Sequence, residues 1–393
     1  MRTTACTVLV TAMSLGVVSA QEPVQIDDLR APTSPAFVLL DVTPASIERP
    51  ENPKAFTTSL INTVSDSGGL PENYALEIAP YWLTYHPQLT FEKYQSPGLM
   101  SAIHTLSISV ATTPMKAPEG STEDVKGSRV GMGVRTNLVN GRFNPKLGAL
   151  VATLARHQRE FLDADEAVEN AKKNVATAEK DLEAARAAGT ASGPLEKDLA
   201  DTRAVLATSQ ETLDAIEAAT QTAALDIQAL DAQRIGFIVS LAFGKTWDFP
   251  DDDFSKSQDS RWGVWVTPAY RFIACAASSE SCQATLDAIA VLRALREPGK
   301  DTSWDFGGRI VWQPIRELSL SLETLRRQSG DSDAKEGGAS NRTAGMLEYR
   351  INADLSLYGS FGRDFEKETG SKPLISLVGL NIGLGKKPQV KPE

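Results

Sequence analysis

Cysteine and histidine are scarce in this 393-residue chain, with three of each. His86, His104 and His157 are widely scattered, so no spacing suits a metal centre. There is no G-x-S-x-G, no glycine-rich phosphate loop and no nucleophile–base pattern, so no enzyme activity and no cofactor is expected. The acidic stretch DDDF at 251–254 lacks the glycine that an EF-hand loop requires. Positive charge is also short: 40 Lys and Arg against 50 Asp and Glu leave a net charge of -10, which argues against nucleic acid as a partner. Beyond the first twenty residues no apolar run approaches the roughly 18 residues of a membrane helix. Spanning strands remain open, because they hide their lipid face in every second residue.

What the chain does contain begins with MRTTACTVLVTAMSLGVVSA. A basic start at Arg2, an apolar run to Val18 and the small ending Val18-Ser19-Ala20 form an export signal over 1–20, with cleavage expected before Gln21. Of the cysteines, Cys275 and Cys282 then remain, and a local disulfide is expected in an oxidising compartment. Residues 21–54 are proline-rich around one apolar knot, Phe37 to Leu40. They form either an extended lead-in or a plug in a barrel mouth.

From Phe56 onward, segments of about ten to thirteen residues alternate apolar and polar side chains, longer than the five or six usual in soluble strands. They lie near 56–64, 73–84, 101–112, 128–139, 234–246, 260–272, 285–297, 303–313, 317–328, 342–351, 354–365 and 373–384. Phe237, Leu241 and Phe243 oppose Gly236, Ser240 and Gly244; Trp304, Phe306, Ile310 and Trp312 oppose Asp305, Arg309 and Gln313. In YRINADLSLYGSFGRDF, Leu355, Leu357 and Phe361 oppose Asp354, Ser356 and Tyr358. A soluble sandwich would turn the apolar side inward. A transmembrane antiparallel β-barrel of about twelve strands, with ten the nearest alternative, would turn it to lipid, and aromatics near the ends of the apolar band favour the barrel. His104 aligns with Ala102, Leu106 and Ile108 on that lipid side. Segment 285–297 could also form a helix by propensity, and Pro268 would interrupt a ladder.

Between the fourth and fifth segments the period becomes seven. Leu147, Leu154, Phe161, Val168, Val175 and Leu182 form one seam, alanines fill its alternate register, and Leu199, Leu206 and Leu213 form a second seam after GTASGP. Residues 145–187 and 194–233 therefore form an inserted antiparallel coiled-coil hairpin, each arm about 60–65 Å long at ~1.5 Å per residue. The domains are the leader 1–20, the segment 21–54, barrel strands in 55–144 and 234–384, the hairpin 145–233 and a tail 385–393. Tight turns near 313–316 and 352–354 belong on the periplasmic side, and an even strand count puts the hairpin and both chain ends there. The conclusion inverts if 285–297 is not a strand.

The polar side of the strands collects Glu77, Arg129, Arg135, Asp305, Arg309, Glu323, Arg327, Glu348, Arg350 and Asp354 as lumen-lining candidates. Charges cannot face lipid cheaply. Inside, they are either paired structural fill or the lining of a solute path.

The last segment, LISLVGLNIGLG, resembles the assembly signal of bacterial outer-membrane β-barrel proteins, a glycine followed by two spaced apolar residues. Gly379, Ile382 and Leu384 match it; Leu377 stands where the family usually has a polar residue, and KKPQVKPE follows where many members end on an aromatic. The resemblance implies insertion into the outer-membrane bilayer by the barrel-assembly machinery. The expected function is a porin-like channel or transport component; the alternative is a membrane-anchored scaffold whose periplasmic hairpin docks a protein partner.

Overall fold

The computed structural model describes residues 24–25, 34–43, 45–49, 55–63, 73–84, 86, 88–96, 98–115, 126–143, 145–229, 234–274, 284–315, 317–330, 339–352, 354–365, 373–384 and 389–390. The leader, Cys275 and Cys282 lie outside these residues.

Twelve strands close into one antiparallel barrel: β1 Phe56–Thr63, β2 Asn73–Ile78, β3 Ser107–Pro114, β4 Gly127–Phe143, β5 Arg234–Pro250, β6 Gln258–Ile273, β7 Thr285–Arg296, β8 Ser303–Ile315, β9 Leu318–Gln328, β10 Ala339–Asn352, β11 Leu355–Arg363 and β12 Leu374–Leu384. Each strand pairs with its neighbours in sequence, and β12 pairs with β1 through Leu384↔Phe56 to Leu377↔Thr63. Closure pairs every strand with a neighbour on both flanks. Residues 285–296 are a strand despite their helical propensity, because they are paired on both flanks. Pro268 leaves its mark: the β6–β7 register is unshifted, but the ladder skips Thr267 and Pro268, where proline has no N–H to give.

The alternation resolves as a barrel rather than a sandwich. Leu322 is 61 % exposed, Ile310 58 % and Phe361 64 %, and Leu241, Phe243, Trp304 and Trp312 also face outward. Their neighbours Ser240, Glu323, Asp305, Gln313, Ser356 and Ser360 face inward and are buried. An outer surface of this composition has no use for water and suits hydrocarbon.

Two expected strands are shorter than the sequence pattern suggests. β2 ends at Ile78, because Pro80 cannot extend its ladder and instead begins a 3₁₀ turn, Pro80–Leu83. β3 begins only at Ser107; the residues before it form α2 Phe91–Gln95, capped by Thr90, and α3 Leu99–Thr105, which starts at Gly98 with φ 120°. His104 accordingly does not face lipid. It is buried, with its ring 4.5 Å from Tyr81 and 5.3 Å from Tyr94.

α4 Pro145–Ala187 and α5 Gly193–Ala229 form the inserted hairpin. Its outer part packs through Ala178, Leu182 and Leu199. Its base joins the barrel: Leu147, Val151, Leu154 and Ala223 cluster with Trp82, Phe91, Tyr94 and Phe143. Val390 belongs to the same cluster, in a short pair that joins Val24–Gln25 to Gln389–Val390. The hairpin and the described ends of the chain therefore share one end of the barrel, here the proximal end. The turns after β8 and β10 are at that end too.

Candidate functional site

The lumen is not empty. α1, a one-turn helix over Pro35–Leu39 capped by the Ser34 hydroxyl, sits inside it, and all five of its residues are buried. A helix apolar on every side must be packed on every side. Ala36, Phe37 and Leu40 meet Ile61, Ala75, Ala111, Tyr358, Ile375 and Leu377, while Val38, Leu39 and Ile47 meet Trp265, Ile289, Val291, Leu295, Val311 and Leu325. These wall residues all point inward, so part of the inner face is apolar where the helix lies against it.

The wall under α1 is built of glycine. A Cβ added at Gly133 would lie 2.5 Å from the Pro35 side chain and 2.9 Å from the Ala36 nitrogen; one at Gly131 would lie 3.0 Å from the Ala36 carbonyl oxygen. Gly244 and Gly263 make the same room for Leu39. Small residues on four adjacent lumen positions of β4, β5 and β6 thus form a flat seat that brings the helix backbone against the sheet. The Ala36 N–H donates to the Ser109 hydroxyl at 3.1 Å from the neighbouring strand.

Beyond α1 the chain turns at Asp41, φ 53°, and residues 42–43 and 45–49 are buried in the lumen. Arginines of the wall take its carbonyls: Arg261 donates to Leu39 at 3.4 Å, Arg342 to Thr43 at 3.3 Å, Arg293 to Ser46 at 3.4 Å and Arg309 to Ile47 at 3.0 Å. In the other sense, the Ser46 and Ile47 N–H groups donate to the Glu323 carboxylate at 3.0 and 3.2 Å. Arg261 also pairs with Asp41, and Arg49 with Asp287 at 2.5 Å. Backbone groups buried away from water need partners, and here charged side chains supply them.

The candidate lumen residues fall into this frame unequally. Glu77 and Arg135 form a buried pair at 2.7 Å. Asp305, 0 % exposed, accepts from Arg327 at 2.8 Å and from Arg293 at 2.8 Å. Arg309 also donates to Ser321 at 3.0 Å, and Glu323 lies 3.6 Å from Arg342. Glu348 and Arg350 point inward and are buried. Arg129 pairs with Asp248 nearer the distal rim and is a third exposed. Asp354 does not reach the lumen: it is exposed in the turn after β10, where its carbonyl accepts from Gly383. The alternation had placed it on the polar face, but the strand starts one residue later, at Leu355.

Arg261, Arg271, Asp287, Arg293 and Arg342 complete the network and were not singled out from the sequence. The parity of β6 did place Arg261 and Arg271 opposite Trp262 and Tyr270. β7 carried no such signal, because Asp287 and Arg293 share their inward face with Ile289, Val291 and Leu295.

Asp305, Ser107 and Thr267 are all 0 % exposed, on three different strands of the wall. Residues of 34–43 and 45–49 pack inside the lumen that the strands enclose. No protein-family model matches the chain, and no curated protein does. Among solved structures it is similar to the NanC porin in a rhombohedral crystal form, at 8 % identity and TM-score 0.33 over 84 % of this chain and 98 % of that one. It is also similar to the KdgM porin, at 7 % identity and TM-score 0.35 over 84 % and 99 %, and to the KdgM porin in complex with disordered oligogalacturonate, at 6 % and 0.33 over 84 % and 98 %. The architecture of this chain rests on its own strand ladders.

At the proximal end the hairpin offers a second feature. In the part of the hairpin that holds His157, a groove of about 420 Å³ is lined also by Glu160, Thr208, Glu211, Thr212 and Ile216. Among the described residues no group of three or more His, Cys, Asp or Glu is placed to hold a metal ion.

Proposed function

We propose that the chain is an outer-membrane, porin-like transport component whose polar lumen is held closed by residues 34–49. In this proposal the segment 1–20 directs export and is cut near Ala20, the barrel-assembly machinery inserts the strands, and the proximal end with its hairpin faces the periplasm. The observation that carries the proposal is how the plug is held. It is tied by side chains to its backbone, by four glycines and by ion pairs, and none of the barrel's strand ladders includes it. Withdrawing it would break no barrel pairing and would expose a wall of arginines and carboxylates.

The test is solute efflux from proteoliposomes. The full-length chain is expected to retain a small polar solute, and a chain lacking residues 34–49 to release it. A deleted chain that inserts and still retains the solute as well as empty vesicles do would refute the proposal.

The packing of the hairpin base into the proximal cluster supports a second reading, in which the barrel is an anchor and the hairpin docks a periplasmic protein. Deleting residues 145–233 separates the two: loss of the cellular phenotype while the barrel's conductance stays intact favours the anchor.

A further inference from the structure

We infer that α3 is a membrane-facing piece of the barrel wall, which fills a notch in the sheet and receives acyl chains of the leaflet at the proximal end. The inference rests on the outer-membrane reading above. β3 begins at Ser107, opposite Arg135 of β4, and Arg135 is opposite Ala242 of β5. The outward apolar band does not stop at that level. On β5 it continues five residues further to Phe237, which pairs with Tyr270 of β6, about 16 Å along a strand at ~3.3 Å per residue. On the β2–β3 side the ladders of the described residues end at Ile78↔Ile108 and Ser107↔Arg135.

α3 lies there, packed on β4. Ser101, His104 and Thr105 face the protein and are buried, while Leu99 is 78 % exposed, with Met100 and Ile103 also exposed on the helix and Leu83 on the preceding turn. The helix thus continues the lipid-facing band with the same residue types on the same outer surface.

A second observation concerns the backbone. A helix end in water leaves its last carbonyls to the solvent; in hydrocarbon each needs a partner within the protein. Here the Ala102 carbonyl accepts from the Thr136 hydroxyl at 2.6 Å, Ile103 from the Leu106 N–H at 3.3 Å and His104 from the Trp82 indole N–H at 2.8 Å. The Thr105 hydroxyl donates to Ser101 at 3.0 Å and accepts from the Asn137 N–H at 2.9 Å, where β4 has outrun β3. This satisfaction is what a sheet edge in lipid demands.

Spin labels test it. With Cys6, Cys275 and Cys282 replaced by serine, labels are placed by Met100→Cys and Ile103→Cys in protein reconstituted into phosphatidylcholine bilayers. The references are Leu241→Cys on the barrel exterior and Val205→Cys on the exposed hairpin. Labels at 100 and 103 should be relaxed by oxygen in preference to a water-soluble nickel complex, as at 241. Labels at 100 and 103 that follow 205 while 241 stays lipid-like would overturn the inference and leave the barrel reading intact. A label at 241 that itself follows 205 would overturn both.

Discussion

Replacing Gly133 with leucine is expected to expel the plug and raise solute efflux well above that of the unmodified chain. The added Cβ would meet the backbone of α1 at 2.9 Å and the ring of Pro35 at 2.5 Å, and neither can rotate away. Gly244 is the weaker choice, since its nearest contact is the flexible end of Leu39 at 2.6 Å. Overpacking of this kind costs about 1–3 kcal/mol. Set against the closed state alone, that favours the open one by about 5- to 150-fold at ~1.4 kcal/mol per decade. Gly359→Leu is the control, on the outer face of β11 with nothing nearer than the Leu377 carbonyl at 3.8 Å, and its efflux should match the unmodified chain. Equal efflux from the Gly133 and Gly359 variants would count against a seated plug.

Asp305→Ala is expected to cause a large loss of stability, as is Asp287→Ala, where Arg49 and Arg271 converge in the same way. Arg293 and Arg327 converge on the Asp305 carboxylate, which is fully buried. Its removal leaves the buried Arg293 guanidinium without its carboxylate and takes from Arg327 the nearer of its two, Asp41 being 3.7 Å away, and breaking a buried pair in this way costs about 3–5 kcal/mol. Asp305→Asn keeps the acceptor oxygen and should lose less. The comparison that isolates burial is Glu179→Ala on the hairpin. Its carboxylate contacts Arg203 at 2.7 Å, the same separation as the buried Arg135–Glu77 pair, yet both partners are about half exposed. An exposed pair contributes roughly 0–1 kcal/mol. Urea unfolding of the detergent-folded barrel should therefore separate the two variants clearly, and similar midpoints would contradict a dry, occupied lumen.

The strands, their facing and the hairpin were legible because each is written in a repeat: alternation for the wall, heptads for the insertion. The plug was only half legible. Phe37 to Leu40 stood out as an apolar knot, but nothing local says which wall a one-turn helix will meet. Its imprint on the wall was visible as exceptions to the pattern. Leu377, out of place in an assembly signal, faces inward and packs in the cluster that holds Phe37 and Leu40. β7 was ambiguous for the same reason: Ile289, Val291 and Leu295 make its lumen side apolar against the plug, so both of its faces look alike. Glycines share the polar side with charges, and nothing in the alternation says that Gly131, Gly133, Gly244 and Gly263 seat α1. Residues 101–106, at the start of the expected strand 101–112, read as strand because AIHTLSISV alternates through the helix–strand junction. Only the Leu99, Met100 and Ile103 spacing signals a helix, and that helix is about two turns long.

Single-channel recording with the chain lacking residues 34–49 tests the central claim most directly, with a synthetic peptide of that sequence added back. The account predicts a silent full-length chain, steady open currents after the deletion, and block by the peptide but not by a scrambled version. A deleted chain that stays silent, or a full-length chain that conducts as freely, would contradict it.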